Sequence, residues 1–164
     1  MHEITGPAAL VWLETSGLAQ AMRQWLWLYP IVEIVHITGI VLLVGSVAMF
    51  DLRLLGLSRA LPVSRMAQHL LPWSVAGLGI VAVTGLMMFS AHATEFWSNP
   101  AFWVKMALIA IAGVNALLFH SGVFRSVMRW DAGAAVPRAA QLSAVASLML
   151  WVGVITCGRL LAYL

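Results

Sequence analysis

A chain of 164 residues that is 62% apolar and only 9% charged cannot cover a water-facing surface, because soluble domains carry about 25% charged residues. The same apolar content, with a mean hydropathy of +0.95, excludes disorder and leaves one small all-α integral membrane domain. The net charge of +3 comes from scattered basic residues rather than a stripe, which speaks for membrane topology and against nucleic acid as a partner.

Residues 1–28 read as an interfacial amphipathic segment. Thr5-Gly6-Pro7 before AALVWLE, and Ser16 before GLAQAMRQWLWL, predict short capped helices on the outer surface, placed as a lid. They lack a charged start followed by an apolar run, so no cleavable signal peptide is expected. Residues 29–164 form the transmembrane domain. Four runs are long enough for a bilayer core of about 30 Å: Pro30–Phe50, Leu71–Ala91, Phe102–Phe124 and Ala139–Leu161. Pro30, Pro72, Pro100 and Pro137 fall at or near the first turn of each run, where a missing N–H costs nothing. Backbone groups in lipid must bond internally, which predicts a four-transmembrane-helix up-down bundle. Met106, Ala110, Gly113, Leu117 and His120 share one face of the third span. Ala140, Ser143, Ser147, Leu150, Val154 and Cys157 share one face of the fourth. Such stripes let helices approach closely or leave room for a flat group.

Arg53, Arg59 and Arg65 follow the first span, and Arg125, Arg129 and Arg138 follow the third, while His92–Pro100 has no basic residue. The positive-inside rule then makes both arginine loops cytoplasmic and both termini periplasmic. Trp25, Trp27, Tyr29, Trp97 and Trp103 become the outer aromatic belt. Asp51 and Arg53 read as an inner interfacial anchor and ion pair.

Ionisable groups inside a span are expensive and usually functional. The histidines are His2, His36, His69, His92 and His120, and imidazole is the commonest metal ligand and a frequent haem ligand. His120 lies about 30 Å beyond the start of its span at 1.5 Å per residue. That depth matches His69, so the two could hold one iron from neighbouring antiparallel helices. His36 lies about 9 Å below the outer surface, with Met106 a closer depth match than His92. Glu33, Lys105 and Arg159 reach a similar depth. They form either a self-neutralising cluster or a site where Lys105 and Arg159 take carboxylates, such as haem propionates, or a quinone headgroup, and Glu33 orients His36 or carries protons. Arg53, Arg65 and Arg125 are the matching propionate anchors on the inner side. Asn115 reads as a helix–helix hydrogen bond. The lone Cys157 makes neither an intramolecular disulfide nor a thiolate metal site. The several methionines fill the core or, with His36 and His92, pass Cu(I). No phosphate loop, nucleophile–base pair or zinc motif is visible.

The strings WLYPIVEIVHITGIVLLVGSVAMFDLRLLGL, LPWSVAGLGIVAVTGLMMF, PAFWVKMALIAIAGVNALLFH and GRLLAYL resemble a family of small bacterial four-span membrane proteins of unknown function. The resemblance covers residues 25–164 and implies this architecture and a bacterial inner membrane, not an activity. More distantly the chain is similar to small membrane b-type cytochromes, the bacterial haem-binding protoporphyrinogen oxidase and the copper-resistance D proteins. The expectation is a protein with one or two b haems that moves electrons between quinol and a redox partner or larger membrane complex. If it is an enzyme, it is a membrane oxidoreductase. His36 and His120 are the first ligands to test, with His69, His92 and Met106 as their partners. A copper-handling protein and a cofactor-free structural or assembly subunit are the rivals, and a homo-oligomer is compatible with each.

Overall fold

The computed structural model describes residues 6–131, 133, 135–161 and 163; Thr5 and His2 fall outside them. Among the described residues the chain is all helical. Its elements are α1 (Ala8–Glu14), α2 (Gly17–Gln24), α3 (Leu28–Leu54), α4 (Val63–Ala91), α5 (Ala93–Ser98), α6 (Pro100–Ser121), a 3-10 segment (Val123–Arg129) and α7 (Arg138–Leu160). Helices α3, α4, α6 and α7 are each long and apolar enough to cross a membrane. Only 11% of the most apolar stretch of α6, and 28% of that of α4, is buried inside the protein. An outward surface so apolar needs lipid, and the chain is an all-α multi-pass membrane protein.

Helix α3 runs antiparallel along α4, α6 along α7, and α3 also packs on α7. Glycine sets the closeness of the first pair. A Cβ at Gly77 would sit 2.6 Å from the Leu43 nitrogen and 2.8 Å from the Gly39 oxygen. One at Gly39 would sit 2.8 Å from a methyl of Ile80. The two backbones therefore touch where neither carries a side chain, as small-residue crossings in membranes do.

The two ends of the bundle differ. At one end α1, α2 and α5 fold over the start of α3 and the end of α4, and Trp12, Trp25, Trp27, Trp97 and Trp103 are exposed. The Ser16 side chain caps α2 by accepting from the Ala19 N–H at 3.3 Å. Buried Glu14 of α1 accepts from the Thr94 N–H at 3.0 Å and its hydroxyl at 2.8 Å. Arg23 of α2 donates to the Ala91 and Glu14 carbonyls, both at 2.7 Å. These bonds clasp the two short helices to the α4–α5 corner. At the opposite end Arg59, Arg65, Arg125, Arg129 and Arg138 are exposed, over a core that includes Phe50, Leu54, Val63, Phe119 and Trp130.

Three sequence expectations are corrected. Helix α4 begins at Val63, so Pro72 lies inside it rather than in its first turn. The extra turns hold because Asp131 caps them. Its carboxylate accepts from the Ser64 N–H and hydroxyl, each at 2.7 Å, and its carbonyl from the Val63 N–H at 3.2 Å. The third span ends at Ser121, and Phe124 belongs to the 3-10 segment. The stripe on α6 faces away from the bundle. Met106, Ala110, Gly113 and Leu117 are exposed, and a Cβ at Gly113 would meet nothing within 4 Å. The stripe on α7 does face inward, with Ala140, Ser147 and Val154 buried.

Candidate functional site

His36 stands eight residues into α3, half-buried against α4. Its Nδ1 lies 2.8 Å from the Thr84 Oγ1. The Thr84 hydroxyl hydrogen is already committed to the Ile80 carbonyl, 2.6 Å away, and the Val81 carbonyl also lies within reach of the ring. Only acceptors surround Nδ1, so Nδ1 carries the proton and donates to Thr84. Nε2 is then left with its lone pair, which is how an outer partner prepares an imidazole as a ligand. Gly85 makes room for the ring, since a Cβ there would lie 3.3 Å from Cε1. Thr84 and Gly85 carried no signal in the sequence. Only the antiparallel register of α3 and α4 reveals their role.

Lys105 is half-buried in the groove between α6 and α7. A Cβ at Gly158 would lie 3.7 Å from its Nζ, and Cys157 is a neighbour. Its charge is near enough to act on His36. Glu33 is exposed on α3, and the Arg159 guanidinium bonds the Tyr163 hydroxyl and lies 4.8 Å over that ring. The three groups at this depth are dispersed rather than joined in one ion-paired cluster.

Of the other described histidines, His92 stands at one end of α4, and His69 and His120 lie toward the opposite end of the bundle. His92 closes α4 at the corner with α5, edge-on to Tyr29 at 5.9 Å and Phe96 at 6.2 Å. Thr84 marks the level of His36 on α4, so His92 lies about 12 Å beyond it at 1.5 Å per residue. His69 is exposed, whereas His120 is half-buried and edge-on to Phe124 at 5.1 Å. The backbones of α4 and α6 do not approach closely, although Phe89 of α4 stacks on Phe102 of α6 at 5.4 Å, and the 3-10 segment lies against both helices. His69 and His120 thus stand on helices bridged at this end by the 3-10 segment rather than on a closely packed pair. Met106 is exposed beside Lys105 on α6. No group of three His, Cys, Asp or Glu suited to a metal ion occurs among the described residues.

On the arginine side, Arg65 and Arg125 are exposed, but Arg53 is spent on the fold. It is 3% exposed and donates to the carbonyls of Leu61 at 2.6 Å, Arg59 at 3.2 Å and Asp131 at 3.3 Å. Those bonds tie the α3–α4 loop to the segment before α7 and remove Arg53 as a propionate anchor. They also break the expected pair with Asp51, which instead turns into the bundle beside Ser147 of α7, its Oδ2 without a partner. Asn115 does bridge helices as expected. It donates to the Ser143 carbonyl and accepts from the Ser143 hydroxyl, both at 3.0 Å.

Residues 9–164 match the model of a family of unknown function, DUF6644. The chain belongs to that family. Nearly the whole fold, from α1 to α7 with His36 and Asp51, lies inside the matched region. No curated protein and no solved structure matched the chain.

Proposed function

We propose that this DUF6644 protein is a b-type haem-binding protein of the bacterial inner membrane, carrying electrons between the quinone pool and a redox partner. The observation that carries the reading is His36: a half-buried imidazole on an apolar helix whose Nδ1–H is held by Thr84, leaving Nε2 free to bind iron. When bound, haem would supply a one-electron ferric–ferrous couple. The chain's own residues orient the ligand, and Lys105 adds positive charge on the same side for a propionate. His120, with fewer polar neighbours, remains the next ligand to examine.

The two unlike ends support an orientation in the membrane. Five of the six exposed tryptophans lie at one end and five of the seven exposed arginines at the other, Trp73, Arg23 and Arg159 being the exceptions, which supports a cytoplasmic arginine end and periplasmic termini. In that orientation α1, α2 and α5 form a cover on the periplasmic face, above His36.

The test is an optical spectrum of detergent-purified protein from haem-replete cells, oxidised and then reduced with dithionite, with haem quantified as the pyridine haemochrome. A sharp reduced α-band that His36→Ala removes supports the reading. A featureless spectrum overturns it, and metal without porphyrin would transfer His36 to a copper-handling role.

A further inference from the structure

Burying a carboxylate without a partner is among the costlier things a fold can do. Asp51 is 5% exposed, in the last two turns of α3. Among the described residues its Oδ2 has no hydrogen-bond partner, and Ser147 of α7 is a polar side chain beside it. Charges on the elements around it are engaged or directed elsewhere. Arg53, two residues on, is bound to three loop carbonyls. On α4, Arg65 and His69 are exposed; on α7, Arg138 is exposed, and no further acid or base occurs before Cys157. His120 of α6 is edge-on to phenylalanine rings.

A carboxylate so placed can be neutralised by a metal cation or by a proton. Hard metal cations take about six oxygen ligands. Here one carboxylate and one hydroxyl are present, and no second acid joins them. The proton is the cation that needs no further ligands. We infer that Asp51 is a proton-binding site: a carboxylic acid that carries its proton in the helix core at neutral pH and exchanges it with the arginine end. The exchange path is short. Leu54, one turn along α3, lines a cavity of about 330 Å³ with Arg53, Gly56, Arg59 and Gln141. Leu54, 1% exposed, is a wall of that cavity and lies one turn from the acid along α3. This site is independent of haem and of His36, which lies about 22 Å away along α3 at 1.5 Å per residue.

The chain contains two aspartates, Asp51 and Asp131, which makes the experiment direct. Asp131 is hydrogen-bonded by Ser64, and those bonds hold its carboxyl below the usual carboxylate range. Full-length protein labelled with ¹³C at the aspartate side-chain carboxyl is reconstituted in lipid, and its infrared spectrum is recorded across pH. The expected result is one protonated-acid carbonyl band at neutral pH, shifted by the label, lost in Asp51→Asn, and shifted again on transfer to D₂O. Carboxylate bands alone for both aspartates would overturn the inference, as would a protonated band that persists in Asp51→Asn. A band that never shifts in D₂O would refute exchange. The labelled wild type decides the protonation state even if the variant fails to fold.

Discussion

The α3–α4 crossing makes a quantitative demand on Gly77. In Gly77→Ala the new Cβ would lie 2.6 Å from the Leu43 nitrogen and 3.0 Å from its Cα, against an ordinary contact of 3.4–4 Å. The obstructing atoms are backbone, so no rotamer change relieves the overlap. The helices must separate by about 0.8 Å, and overpacking of this kind costs about 1–3 kcal/mol. Alanine's better helix propensity returns at most about 1 kcal/mol. With the full propensity gain the expected net loss is about 0–2 kcal/mol. Gly79, two residues away, meets nothing within 4 Å, so Gly79→Ala should be neutral or mildly stabilising. Unfolding of both variants in mixed detergent–SDS micelles, followed by circular dichroism, compares them directly. Gly77 and Thr84 are both buried on α4, two turns apart, so the same separation should loosen the His36–Thr84 bond and, on the haem reading, lower haem retention. The reasoning fails if Gly77→Ala is as stable as Gly79→Ala.

Replacing Thr84 with valine keeps the shape and removes the acceptor for His36 Nδ1–H; an unmatched buried donor costs about 1–3 kcal/mol, read as a lower unfolding midpoint. Imidazole ¹⁵N shifts should show the Nδ1 tautomer weakened, and an unchanged tautomer would assign the hold to the Val81 carbonyl instead. Asp131→Ala removes the cap of α4, a loss of about 1 kcal/mol. Because the Ser64 bonds hold the Asp131 carboxyl low, its stabilisation is present above the ordinary carboxylate range. It is lost as pH falls through the lowered folded value. Melting curves from pH 7 down to about pH 2 should therefore converge for wild type and Asp131→Asn at the acid end; parallel curves would argue against the cap. Glu14→Ala deletes both bonds to Thr94 and should speed proteolysis and amide exchange in α1 while leaving α3–α7 protected. Uniform loss of protection would show that the clasp is not local.

Much of this architecture was legible in the residues. Four apolar runs identified the spans because bilayer thickness sets length, and length is a local property of the chain. Ser16 announced α2, and Asn115 announced a helix–helix bond, because a cap and an intramembrane amide each have few ways to be satisfied. His36 stood out because an imidazole rarely lies in an apolar helix without a task. What escaped was most of the relations between helices. In lipid, outward and inward positions are both apolar, so the pattern along α6 could not show that Met106, Ala110 and Gly113 face away from the bundle. Nor could it show that the α4 and α6 backbones do not approach closely, so that the helices carrying His69 and His120 meet through the 3-10 segment at that end. Pro72 marked a helix start by its own chemistry, but Asp131, far along the chain, carries α4 back to Val63. Asp51 and Arg53, adjacent charges in sequence, suggested a pair; the loops claimed the arginine and left the acid alone in the core. The chain alone determined where it meets the membrane. Only the packing of its helices decided which of its polar groups meet each other, because that depends on register and crossing angle rather than on composition.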